Sequence, residues 1–145
     1  MDSETEEYLG GISSTDIIVK AFPGNGVHAT SKRLILVRSG LGSGLGGNLF
    51  GMAGRLGGTR TGRLSGRAAV SKIGELEKKM YFEIKKEEVA SLELMRHEGG
   101  RICTLRIIPK SGEAVDVSVI ATRDFEAVKD LVNAFCPEAV TNARN

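Results

Sequence analysis

The chain has 145 residues, 41% of them hydrophobic but only 5% aromatic and none tryptophan, so one domain must build its core from Leu, Ile and Val. The net charge of +2 hides a segregation: Lys32 to Lys72 holds eight basic and no acidic residues, leaving twelve basic against eighteen acidic elsewhere, a balance of −6. Cys103, Cys136, His28 and His97 have no metal-ligand spacing, which argues against a Cys–His metal site and leaves two buried free thiols as the expectation. The acidic start lacks the apolar run of a secretory signal, so a cytoplasmic location is expected.

In chain order, residues 1–15 are acidic and rich in Ser, Thr and Gly, the composition of a flexible tail. Residues 16–22 are β-rich, Pro23 to Gly26 supply turn chemistry, and residues 27–30 resume extended structure, a hairpin pattern. Ser31 and Lys32 reverse the chain into Arg33 to Arg38, a short apolar run bounded by charge, as expected of a buried strand. Residues 73–79 have helical character and Met80 to Ile84 that of a strand. Val89 to Met95 places Leu92 and Leu94 on one face. Cys103, Leu105 and Ile107 alternate, as do Val115, Val117 and Val119, the pattern of strands with one wet face. The period then changes: Phe125, Val128, Leu131, Val132 and Phe135 form the stripe of an amphipathic helix near 122–136, capped by Thr122 or Asp124 and stopped by Pro137. Residues 138–145 are left as a flexible tail.

Between these elements lies a basic insertion, residues 40–72. Eleven of the 27 residues from Gly40 to Gly66 are glycine. Each glycine costs about 1 kcal/mol in a helix relative to alanine, so the segment is expected to be disordered in water. As a helix on a surface it would present Leu45, Leu49, Met52, Ala53 and Leu56 on one stripe and Arg60, Arg63 and Arg67 on another. It is too short and too glycine-rich to span a bilayer, which takes about 20 apolar residues.

The hairpin from Ile17 to Val37, with Thr30-Ser-Lys-Arg-Leu-Ile35 at its centre, resembles the opening of prokaryotic pleckstrin-homology-like and GRAM-like domains. Tyr81 to Ile84, Glu88 to Leu94 and Leu105 to Glu113 are similar to their middle strands and late hairpin. The resemblance covers residues 16–38 and 76–137. It implies a mainly β fold: an antiparallel barrel of about seven strands over residues 16–137, capped by the C-terminal helix and carrying the long Gly-rich insertion. It also implies lipid, peptide or protein binding. The basic first turn that grips inositol phosphates in pleckstrin-homology domains has no counterpart in Pro23 to Gly26.

No catalytic constellation can be assembled, since neither histidine has an obvious partner and the glutamates are spread over polar faces. No Gly-Lys-Ser/Thr follows the glycines, and no nucleotide, metal or other cofactor is implied. The chain is therefore expected to be a non-enzymatic binding or adaptor module of unspecified oligomeric state. Arg55, Arg60, Arg63, Arg67 and Lys72 are the candidate contacts to an anionic, peripheral membrane surface, and Leu49, Phe50 and Met52 the candidate apolar contacts. A protein partner without lipid is the alternative. Nucleic acid ranks lower, because only Phe50 offers a stacking ring among the Gly/Arg pairs.

Overall fold

A computed structural model describes residues 6–38, 59–96, 102–120 and 122–144. Its strands are β1 (Tyr8–Val19), β2 (Phe22–Thr30), β3 (Arg33–Arg38), β4 (Thr59–Thr61), β5 (Met80–Lys85), β6 (Val89–Arg96), β7 (Cys103–Pro109), β8 (Val115–Val119) and β9 (Val140–Arg144). Helix α1 (Gly66–Lys79) precedes β5, and helix α2 (Thr122–Phe135) follows β8. The fold is mainly β with a C-terminal helix, as expected.

All strands belong to one sheet of order β9-β6-β7-β8-β1-β2-β3-β5, with β4 also paired to β1. Among the described residues every pairing is antiparallel except that of β9 on β6. The expectation of a closed barrel of about seven strands fails: among the described residues nine strands form one sheet that does not close into a barrel. β5 and β6 follow one another in the chain but do not pair. The 3-10 turn Lys86–Glu88 carries the chain round a corner between them, and β5 and β9 end the sheet.

Strand β1 holds the sheet together. It pairs with β2 along its length, with β4 at Gly11 to Ser13, and with β8 at Ile17 to Val19. An irregularity between Ser14 and Ile18 bends it from one set of partners to the other. The β1–β2 turn sits at Lys20 and Ala21, both at positive φ (53° and 71°), and not at Pro23 to Gly26 as their composition predicts. Those four residues lie within β2, and Asn25 spends its side chain on packing: Nδ2 donates to the carbonyls of Ile17 (2.9 Å) and Phe22 (2.6 Å).

The middle of the sheet, β2 and β3, is buried on both faces. Leu34 and Leu36 of β3 enter the main core with Val27, Leu92, Leu105, Val117 and the α2 stripe Phe125, Val128, Leu131, Val132 and Phe135. Ile35 and Val37, on the other face, enter a second core with Tyr8, Ala69, Ile73 and Leu76. The last three recur at helical spacing and dock α1. Cys103 and Cys136 are free and buried.

Three tail and insertion boundaries differ from expectation. Residues 8–15, assigned to a tail, form the first part of β1; residues 59–72, assigned to a disordered insertion, form β4 and the first half of α1; residues 140–144 form β9. Residues 39–58 lie outside the described residues.

Candidate anion-contact face

The basic segment returns to the sheet in three steps. β4 pairs with Gly11 to Ser13. Tyr8 and Leu64 then exchange backbone hydrogen bonds of 3.1 and 2.9 Å. Finally Gly66, at φ 59°, opens α1 behind an extended Ser65. Gly10 permits this approach, and Gly11 leaves room for the His28 ring beneath it. A Cβ on Gly10 would stand 3.2 Å from the Thr61 carbonyl oxygen, and one on Gly11 would stand 2.1 Å from His28 Nδ1.

This path fixes four of the five predicted basic contacts. Arg60 and Arg67 are exposed; Arg63 is exposed and pairs with Glu7 at 3.1 Å. Lys72 is half-buried, its Nζ 6.0 Å from the centre of the Tyr8 ring. Lys78 and Lys79 complete the last turn of α1, where they complement the helix dipole. Arg55, Leu49, Phe50 and Met52 lie outside the described residues.

Beneath α1 the Tyr8 hydroxyl meets His28 Nδ1 at 2.7 Å, both groups being buried. Burial pushes the Tyr8 phenol up to about 12, against a smaller opposing effect of a hydrogen bond with the Thr61 side chain. Burial pulls His28 down to about 4, and the positive charges of Lys72 and Lys79 add to it. A neutral ring 4% exposed has no route to a substrate, so the pair acts as a packed polar joint between β1 and β2. Both lysines belong to α1, which packs over this pair.

Two further clusters escaped the sequence reading. At the β1–β2 turn, the Arg38 guanidinium lies 4.8 Å from the Phe22 ring centre and 4.3 Å from that of Tyr81. Arg38 Nη1 and the Tyr81 hydroxyl both donate to Asn25 Oδ1, at 3.0 and 2.7 Å. Phe22 is 57% and Tyr81 39% exposed, so the clamp is partly a surface feature. The second cluster centres on Arg33, which bonds Glu6 (2.8 Å), Glu83 (2.7 Å) and Glu77. Burial pushes the Glu6 carboxyl up, but hydrogen bonds from Arg33 and Thr30 outweigh it and hold it below the usual range. No local motif could have found either cluster, because each joins distant parts of the chain, as Tyr81 to Asn25, 56 residues apart, and Arg33 to Glu83, 50 apart.

Among the described residues no helix is long and apolar enough to cross a membrane, and no group of three or more His, Cys, Asp or Glu could hold a metal ion. In comparison with known proteins, no family model and no curated protein matches this chain.

Proposed function

We propose that the protein is a non-enzymatic binding module of pleckstrin-homology-like type that contacts anionic surfaces, such as acidic lipid, through β4 and α1. The observation that carries this reading is the fixed display of Arg60, Arg63, Arg67 and Lys72 along one excursion of the chain, with no acidic residue from Thr59 to Gly74. The second core holds that excursion in place through Leu64, Ala69, Ile73 and Leu76, so contact needs little ordering of these side chains' backbone. The family resemblance is supported by the strand order, in which β1 joins the β1-β2-β3-β5 half to the β6-β7-β8 half, and by the helix that follows β8 onto the main core.

Each basic residue near an anionic bilayer contributes about 1 kcal/mol, so four give weak, salt-sensitive attachment. Co-sedimentation with vesicles tests this. Binding to phosphatidylserine-containing but not to neutral vesicles, lost at high salt and weakened in an Arg60→Ala/Arg63→Ala/Arg67→Ala variant, is the expected result. No sedimentation at low salt would favour a protein partner that uses no lipid.

A further inference from the structure

Strand β5 ends the sheet, and among the described residues nothing pairs with its outer edge. The backbone groups that face outward follow from the register. Lys86 N–H donates to the Lys32 carbonyl, and Arg33 pairs with Lys85 and Leu34 with Ile84. In an antiparallel ladder alternate residues bond the neighbour, so Ile84 and Phe82 face β3 while Glu83 and Lys85 turn their N–H and C=O groups away. The Lys85 N–H is met by Glu88 Oε1 at 2.9 Å. The Lys85 C=O caps the 3-10 turn that follows, accepting its first backbone bond, so the Glu83 N–H and C=O are the pair left on the edge.

This edge borders a cleft of about 500 Å³ whose far wall is the β7–β8 turn, Pro109 to Glu113. The turn is fixed, because Lys110 N–H donates to the Glu88 carbonyl at 2.9 Å. Phe82 and Pro109, both partly exposed, are the apolar residues open to the cleft, and Ile84 is buried in the main core behind them. Its rim is acidic: four glutamates face one lysine, Lys110. Glu83 is engaged by Arg33 and Glu88 by Lys85 N–H, but Glu87 and Glu113 make no ion pair among the described residues.

We propose that this cleft takes an extended peptide of alternating apolar and basic residues as an added strand on β5. The backbone edge at Glu83 supplies hydrogen bonds, apolar side chains reach Phe82 and Pro109, and basic side chains meet Glu87 and Glu113. The sheet already accepts an added strand in this manner. At its other end β9 lies along β6 in a parallel ladder, with Thr141 and Asn142 exposed and Val140 packed on the main core. The acidic cleft and the basic α1 face call for opposite charges, so this site goes beyond the anionic contact proposed above.

The test is a titration of the isotope-labelled full chain with a synthetic hexapeptide alternating valine and lysine, followed by NMR. Expected are amide shifts at Glu83, Lys85 and Ser111 to Glu113. Two further peptides carry N-methyl groups on every second amide, in one parity or the other. An added strand uses one edge only, so one version binds and the other does not. A Glu87→Gln/Glu113→Gln variant, which leaves the core and the ladder untouched, is expected to bind at least about threefold more weakly. The proposal is overturned by equal binding of both methylated peptides, by equal binding of a valine–glutamate peptide, or by no shift at Glu83 and Lys85. Shifts there that grow with protein concentration alone would give the edge to a second copy of the chain and also overturn it.

Discussion

His28 and Tyr8 illustrate how little of a polar group's role is written in its own neighbourhood. Burial lowers the His28 pKa to about 4, so as pH falls the unfolded chain takes up a proton before the folded one. The stability contributed by the neutral ring is complete above about pH 6.5 and is lost as pH falls toward 4, on the order of 3 kcal/mol in all. Urea unfolding at pH 7.5, 5.5 and 4.5 checks this. Wild type should lose stability more steeply than His28→Gln, and parallel pH profiles would contradict the assignment. The sequence places His28 in a strand and gives it no partner. Its actual partner lies 20 residues back, in a segment whose Ser, Thr and Gly content resembles a tail. Gly11 carries the same lesson, since its value is the space it leaves for that ring.

Elements with clean periodicity were legible. The alternation of β7 and β8 and the α2 stripe fall where the pattern puts them, because one face of each is dry and the other wet. Elements rich in glycine were not. The half of α1 from Ile73 to Lys79 falls where helical character is expected, but its first half, Gly66 to Lys72, was assigned to the insertion; it forms because Ala69, Ile73 and Leu76 dock on Tyr8, Ile35 and Val37. The candidate basic contacts were legible as residues, but their arrangement on β4 and α1 depended on this docking. Gly74 faces open space, with no atom within 4 Å of a built Cβ. Gly74→Ala should therefore stabilise the protein by about 0.5–1 kcal/mol, seen as a raised urea midpoint at unchanged slope. A lower midpoint would mean that α1 is not helical there.

At the scale of the whole molecule, the sheet and α2 are held by one large core. Phe125 is 2% exposed, and its removal leaves a void between α2 and the sheet. Phe125→Ala should cost about 3–5 kcal/mol in chemical denaturation, and a change near zero would show that α2 is not packed as described. The expectation of a closed barrel failed because short-range pattern fixes which face of a strand is dry but not whether the last strand meets the first. The corner at Lys86 to Glu88 decides that, by turning β6 away from β5.

The bend in β1 has a kinetic consequence. Ile17 is paired with Val119, a hundred positions further along the chain, while Val19 and Phe22 meet across a two-residue turn. The hairpin can close within microseconds, but its bent end must await a loop closure of great entropy before β8 arrives. Refolding should thus resemble that of slow, high-contact-order β proteins, on a scale of about milliseconds to seconds, with the docking of β8 on β1 as its late step.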